Sequence, residues 1–305
     1  MARFLISRLL QGIVVVFITM VATFALLKAA PGGPYQKERA TTPENEARLR
    51  EEYGLDQPLH VQFLRVLSKA MSGTLKCDKF KSQLVGDIIR NSFPISAAIG
   101  LPALLIAIGL GVPAGALAAL RPGSLEDRSA MLMSTLGICA PSLVLGPLIA
   151  LVFGLKLNWF NVAGWYDADD WVLPSLTLGL IYAAYVARLT RGGLRETLAQ
   201  EFIRTARAKG AGEGAVVFRH ALKLASLPLL NFLGPAAAGL LTGSFVTETV
   251  FQIPGLGQHF VSAAINRDYA LASATAAFYA AMIVGFNLLV DIIQAAINPR
   301  IGLKS

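Results

Sequence analysis

The sequence predicts an all-α integral membrane protein with six transmembrane helices and with both termini in the cytoplasm. Hydrophobic residues make up 54% of the 305 residues and charged residues only 15%. Soluble domains carry about 25% charged residues. Long blocks without charge also alternate with short polar segments. These observations exclude a disordered chain and an ordinary soluble enzyme.

The basic net charge of +8 indicates a membrane partner and no nucleic acid. Its positive residues lie between long apolar blocks, and they lack the interleaved aromatic residues of a base-stacking surface. Cys77 and Cys139 lie far apart in different surroundings, which excludes a disulfide framework and a Cys-x-x-Cys metal site.

Six charge-free stretches predict the membrane passes. A helix needs about 20 mostly apolar residues to cross about 30 Å of hydrocarbon. The first span lies within residues 1–30, and the others lie at about 95–120, 130–154, 171–187, 225–247 and 270–291. Several contain proline, which membrane helices tolerate because neighbouring helices re-satisfy the freed backbone groups. The first span could instead be a cleaved signal, but 19 charge-free residues exceed the roughly 7 to 15 of a signal core. We therefore expect it to stay as an anchor.

The short loops set the orientation through their Lys and Arg residues. With the N-terminus inside, fourteen of these residues fall in cytoplasmic segments, whereas the two short outer loops hold only Lys156 and Arg267. Residues 31–90 then form an extracytoplasmic cap region, in which a short helix is predicted between Thr42 and Gly54. The cap is either a solvated spacer or a docking surface for an external partner.

The cytoplasmic segment 188–223 is too long for a simple turn. Leu194, Leu198, Phe202 and Ala206 recur every four residues and predict one face of a helix. Three glycines at 210, 212 and 214 interrupt that pattern before a second helical piece begins. This hairpin is either a basic amphipathic helix on the leaflet surface or a docking element for a cytosolic protein.

The residues that several kinds of binding and catalytic site require are missing from this sequence. No GxxxxGK[ST] phosphate loop occurs, so the chain cannot hold ATP by that device. His60, His220 and His259 fall in three separate segments, and neither a metal site nor a catalytic set is expected. A membrane enzyme is therefore disfavoured. A proton-coupled secondary transporter is the stronger rival, but the candidate acids Glu248 and Asp291 fall at span ends.

Seven stretches resemble one known family. They are APGGP at 30–34, YGLDQPL at 53–59, FIRTARAKG at 202–210, FRHAL at 218–222, TGSFVTETVFQIPGLGQ at 242–258, NRDY at 266–269 and INPRIG at 297–302. The chain resembles the permease subunits of type I ABC importers, specifically the B-type subunit of oligopeptide and dipeptide transporters. The resemblance covers essentially the whole chain and implies the type I permease fold, with residues 91–305 as its core.

The resemblance also implies a role for the cytoplasmic hairpin. In the family this hairpin carries a loop that begins Glu-Ala-Ala and has a glycine six positions after the glutamate. Gly210 and Ala206 fit that pattern, whereas Arg204 and Thr205 depart from it. A helix coupling the chain to an ATPase subunit is then expected at Glu201, Phe202, Arg204, Thr205, Ala206, Arg207, Lys209 and Gly210.

The implied function is the half-pore of an ATP-driven peptide importer in the bacterial inner membrane. The implied partners are a homologous second permease, two ABC ATPase subunits and an extracytoplasmic peptide-binding protein. ATP and Mg²⁺ would act in the ATPases, and no cofactor is expected here. A nickel or sugar substrate on the same scaffold remains the alternative.

Pore residues are harder to assign. Small residues of the fifth span either pack helices closely or line a roomy pore. Thr242, Ser244 and Glu248 are the candidates for pore or gate, and Glu248 is either a gate or peptide-contacting residue or a surface acid at a helix end.

Overall fold

The computed structural model describes residues 2–29, 57–77 and 83–297. Within these ranges, five helices are long and apolar enough to cross a membrane, and a sharply bent helix pair makes a sixth span. The prediction of six spans is confirmed with the bent pair counted as one. The short cap helix predicted between Thr42 and Gly54 lies outside the described residues.

Helices α1 (Ala2–Ala29) and α13 (Tyr269–Ile297) form an antiparallel pair. Near one end, Arg8 Nε lies 3.1 Å from Asp291 Oδ2. At the other, the Lys28 ammonium lies 4.3 Å from the centroid of the Tyr269 ring. The start of α1 and the end of α13 therefore lie on the same side of the membrane, which agrees with two termini in one compartment.

A short helix of the cap region, α2 (Leu59–Met71), packs on α1. The Phe63 ring makes edge contacts with Phe17 and Phe24, at centroid distances of 5.8 and 5.7 Å. Cys77 follows this helix and is fully buried. This part of the chain therefore packs against one end of the helix bundle.

Helices α3 (Val85–Leu120) and α6 (Val172–Leu198) pack against each other along much of their length. Glycine permits the close approach. A Cβ on Gly111 would lie 2.6 Å from Val186 Cβ, and one on Gly179 would lie 2.7 Å from Ile106 Cγ2. Both helices are longer than predicted. α3 begins well before 95, and α6 continues past 187 into the segment assigned to the cytoplasmic hairpin.

The third span is not one straight helix, so the prediction of a continuous helix over 130–154 is wrong. Helix α4 (Leu125–Cys139) ends before Pro141, and α5 (Ser142–Ile149) continues as a π-helix, Ala150–Lys156. The two halves meet at 106°. Because proline disfavours helical backbone in the residue before it, Ala140 is extended, with ψ 117°.

The fifth span is also broken. Helix α10 (Leu227–Thr242) stops at Gly243, whose φ of +102° is costly for residues with a Cβ. Two short helices follow, α11 (Phe245–Val250) and α12 (Leu256–Asn266). The segment from Gly243 to Asn266 therefore connects the fifth span to α13 as an ordered unit.

Candidate functional site

The cytoplasmic hairpin contains a short helix, α7 (Glu201–Ala208), that is separate from α6. α6 ends at Leu198, and extended backbone at Gln200 (ψ 153°) starts α7 in a new direction. The predicted continuous face through Leu194, Leu198, Phe202 and Ala206 is therefore wrong. Leu194 is fully buried, whereas Phe202 is 40% exposed.

Ile203 anchors α7. It is fully buried in a cluster with residues of α3, α6 and the second half of the hairpin: Ala119, Leu194, Val216, Val217, Ala221 and Ala225. The second half comprises α8 (Glu213–Ala215), a π-helical turn (Val216–Ala221) and α9 (Leu222–Ala225). One apolar side chain thus fixes the short helix, and its other faces remain open.

The residues predicted to contact an ATPase lie on those open faces. Ala206 is partly buried, and the other seven are exposed: Glu201, Phe202, Arg204, Thr205, Arg207, Lys209 and Gly210. Their contact with another protein stays a prediction. The structure provides a basic, partly aromatic surface on a helix that is tied to the membrane bundle by its buried residue.

Gly210 ends the first half of the hairpin in the left-handed conformation, with φ +82°, as is common for a glycine that follows the end of a helix. Its N–H donates to the carbonyl of Arg207 at 2.9 Å. Gly212, by contrast, has an ordinary φ of −65°. The sharp turn therefore depends on one of the three glycines.

An ion pair joins the two sides of that turn. Arg207 donates to both carboxylate oxygens of Glu213, at 2.7 and 3.1 Å. This hydrogen bonding lowers the pKa of the Glu213 carboxyl and raises the pKa of the Arg207 guanidinium. Glu213 is therefore a structural partner of the turn, although its spacing from Arg207 gives no helical signal.

A second ion pair connects α6 with the first turn of α4. Arg191 makes two hydrogen bonds to the Asp127 carboxylate, one of them 2.9 Å from Nη2 to Oδ2. The same Oδ2 accepts the N–H of Gly123, also at 2.9 Å. Because α6 leads directly into the hairpin, this pair fixes the helix from which the hairpin extends.

Glu248 is buried, with 2% of its surface exposed, so the interpretation as a surface acid is wrong. Its Oε1 accepts the Ser96 hydroxyl of α3 at 2.7 Å, and its Oε2 accepts the N–H of Gln258 at 2.9 Å. The Ser96 oxygen accepts in turn the N–H of Leu256, at 2.8 Å. Leu256 and Gln258 lie in the first turn of α12, where a carboxylate satisfies free N–H groups and the helix dipole.

Glycines make room for this carboxylate. A Cβ on Gly255 would lie 2.7 Å from Glu248 Oε2, and one on Gly257 would lie 2.9 Å from the same atom. A Cβ on Gly243 would lie 2.7 Å from Ser96 Oγ. The segment from Gly243 to Gln258 thus contains a buried carboxylate, the helix start that this carboxylate caps, and the glycines that leave space around it.

The other two pore candidates are also engaged within the protein. The Thr242 hydroxyl is fully buried and donates to the Ala238 carbonyl at 2.7 Å. Ser244 is the N-cap residue of α11. A role at a gate stays a prediction for all three. Sequence reasoning missed Ser96, whose only signal is a hydroxyl group in an apolar span.

The fold is that of a multi-span helical membrane protein, and comparison with known proteins gives the family. The family model described as binding-protein-dependent transport system inner membrane component matches residues 111–303. The model of the N-terminal part of such components matches residues 1–99. A crystal structure of an amino acid ABC transporter with histidines has a TM-score of 0.54 and 16% identity, over 69% of this chain and 94% of that chain. That likeness concerns the fold.

Curated relatives match along nearly the full length. The oligopeptide transport system permease protein OppB of Haemophilus influenzae is 40% identical over 304 residues, 99% of each chain. OppB of Escherichia coli strain K12 is 39% identical over the same length and coverage. The dipeptide transport system permease protein DppB of Bacillus subtilis is 36% identical, again over 99% of each chain. The chain therefore belongs to the binding-protein-dependent inner membrane components, the permease subunits of type I ABC importers, and it is a multi-pass protein of the inner membrane.

Proposed function

We propose that this chain is one membrane-spanning half of the pore of an ATP-driven peptide importer. The observation that carries the proposal is α7, a short exposed helix fixed to the bundle through the buried Ile203. A helix held in this way transmits a push from a cytosolic subunit to the spans. Relatives named for oligopeptide and dipeptide transport, 36–40% identical over 99% of this chain, support peptide as the substrate.

The proposed assembly contains a homologous second permease, two ATPase subunits beneath the membrane and an extracytoplasmic peptide-binding protein. ATP and Mg²⁺ act in the ATPase subunits. Residues Glu201 to Gly210 form the surface that rests on one ATPase. Closure of the ATPases around ATP moves α7, and the Arg207–Glu213 pair keeps the two sides of the hairpin moving together.

Reconstitution into liposomes tests the proposal. The complete complex is expected to accumulate peptide only with ATP and binding protein present, and the chain alone is expected neither to hydrolyse ATP nor to accumulate peptide. The matched control omits only the ATPase subunits. Uptake driven by a proton gradient without ATPases would overturn the proposal in favour of a secondary carrier. Uptake of nickel or sugar, and of no peptide, would overturn the substrate class.

A further inference from the structure

Helix α10 exposes a face unlike the lipid-facing surface of its neighbours. α1 exposes large apolar side chains along its length, among them Leu10, Ile13 and Phe17. On α10, which is described throughout, no large apolar side chain is exposed to that degree. Beyond its first turn, in which Pro228 is exposed, the exposed residues of α10 are Asn231, Pro235 and Gly239. Because lipid tails favour large apolar side chains, this face is not built for lipid.

These three residues form one stripe. They are spaced by four, so each is turned about 40° from the last and the stripe is about 12 Å long. The small residues beside them behave differently, since Ala236, Ala237 and Ala238 are buried against other helices. Most small residues of the fifth span thus pack helices, and beyond the first turn of α10 only this stripe faces outward.

Two tyrosines of α6 border the stripe on one side. Both pack on Phe232 of α10, with ring centroids 6.2 Å away for Tyr182 and 5.7 Å away for Tyr185. The Tyr182 hydroxyl lies 3.9 Å from where a Cβ on Gly239 would be. Among the described residues, neither hydroxyl has a hydrogen-bond partner.

The depth of these hydroxyls is informative. Tyr182 lies ten residues into α6, about 15 Å along the helix, which is half of a hydrocarbon layer about 30 Å thick. Tyrosine in membrane proteins is enriched at the interfaces. A hydroxyl without a partner in hydrocarbon costs free energy, so hydroxyls at this depth require water, a polar ligand or a polar group of the second permease.

Helix α13 borders the stripe on the other side and orients its amide. Gln294 Nε2 donates to Asn231 Oδ1 at 2.7 Å, and Gln294 is itself buried. The bond occupies the oxygen of Asn231 and leaves its NH₂ group as a donor at the exposed face. The stripe therefore lies between α6 and α13, with phenol groups along one edge and an oriented amide at its end, and we call this strip of surface the groove.

We propose that this groove, formed by Tyr182, Tyr185, Asn231, Pro235 and Gly239, is a wall of the path along which the peptide crosses the membrane. The inference rests on the proposed function. A peptide presents a donor and an acceptor at nearly every residue, whatever its side chains. Phenol hydroxyls and an amide match these groups, and the floor at Gly239 leaves space for varied side chains. The wall thus recognises the main chain.

Blocking the groove is the first test. Gly239→Leu fills the floor, and Gly109→Leu is the matched control, because a Cβ on Gly109 meets nothing within 4 Å and Leu105 and Leu110 beside it are exposed. In the reconstituted complex, Gly239→Leu is expected to lower peptide uptake at least tenfold while the second permease still co-purifies, and Gly109→Leu is expected to have no effect. Equal transport by the two variants would overturn the proposal. Loss of the second permease from Gly239→Leu alone would also overturn it, by assigning this face to the subunit interface.

A second measurement tests whether the groove is part of the transport path separately from whether the transported substrate is a peptide. In a Cys139→Ser background, the thiol introduced by Gly239→Cys is expected to react with a water-soluble maleimide, and that introduced by Gly109→Cys is not. If the thiol from Gly239→Cys is labelled but the otherwise unaltered complex takes up no peptide, the path is upheld and the proposed function is rejected. If that thiol is not labelled, the path is rejected. Tyr185→Phe is expected to raise KM about twofold to tenfold without changing kcat, through the loss of one hydrogen bond. An unchanged KM would remove Tyr185 from the recognition.

Discussion

The hydroxyl of Ser96 and the carboxylate of Glu248, separated by 152 residues in sequence, are joined by a buried hydrogen bond of 2.7 Å. The bond ties α3 to the connection between the fifth and sixth spans. The same carboxylate caps the first turn of α12 through Gln258, and Ser96 accepts from Leu256. These two side chains therefore hold a broken span, a helix start and a neighbouring span in one arrangement.

Glu248→Gln is expected to destabilise the complex. The amide keeps the size of the side chain but loses the charge that faces the N–H groups of α12. Its NH₂ group would also face other hydrogen-bond donors, which cannot accept a hydrogen bond from it. A hydrogen bond to a charged group contributes about 1.5–3 kcal/mol. The measurement is the midpoint of thermal unfolding of the purified complex in detergent. Glu196→Gln, at an exposed site on α6, is the control. An equal midpoint for the two variants would show that the carboxylate does not hold this region.

Gly255→Ala is expected to destabilise the protein through Glu248 and not through backbone strain. The φ of Gly255 is −87°, which alanine adopts readily, whereas its Cβ would lie 2.7 Å from Glu248 Oε2. In a double-mutant cycle with Glu248→Ala, the combined loss should be smaller than the sum by about 0.5–3 kcal/mol. Gly109→Ala combined with Glu248→Ala should be additive. Additivity for Gly255 as well would contradict the idea that this glycine exists to accommodate the carboxylate.

Arg191→Ala is expected to destabilise the region from which the hairpin extends. It leaves Asp127, 4% exposed, without its charged partner, and a buried unpaired charge is more costly than the loss of an exposed pair. Arg188→Ala, about one turn earlier on the same helix and exposed, is the control. Limited proteolysis of the hairpin in membranes measures the effect. Equal cleavage of the two variants would mean that the Asp127–Arg191 pair does not fix the hairpin.

Orientation in the membrane is testable with introduced thiols. The native Cys77 cannot report it, because Cys77 is fully buried. In a Cys139→Ser background, Tyr166→Cys places a thiol in an exposed position of the loop before α6, and Lys209→Cys places one on the hairpin. An impermeant reagent on intact cells should label the first and not the second, because positive residues concentrate in cytoplasmic loops. The reverse labelling would place both termini outside.

A structural feature could be predicted from the sequence where it depends on residues that are neighbours in the chain. Spans follow from charge-free length, and the left-handed Gly210 follows from the end of a helical pattern. The bend at Pro141 does not follow in this way, because Pro94, Pro102 and Pro113 all lie inside the unbroken α3. Which proline breaks a span depends on the helices that pack around it. Similarly, no local pattern connects Ser96 to Glu248, since their contact exists only in the folded bundle.

Gly210→Val gives the sharpest test of the hairpin. Gly210 and Gly212 both have open space where a Cβ would be, but Gly210 has φ +82° and Gly212 has φ −65°. Valine at the left-handed position costs about 1–2 kcal/mol in backbone energy, whereas at 212 it is tolerated. Gly212→Val is therefore the matched control.

Both valine variants are expected to insert normally, because neither position lies in a span. Gly210→Val should misdirect α7, so that ATPase subunits co-purify poorly or hydrolyse ATP without peptide uptake, while Gly212→Val should support uptake like the unaltered chain. The ratio of peptide imported to ATP hydrolysed by the whole complex measures the difference. If the two variants import the same amount of peptide per ATP hydrolysed, the turn at Gly210 does not transmit motion from the ATPases, and α7 is a helix that merely lies at the membrane surface.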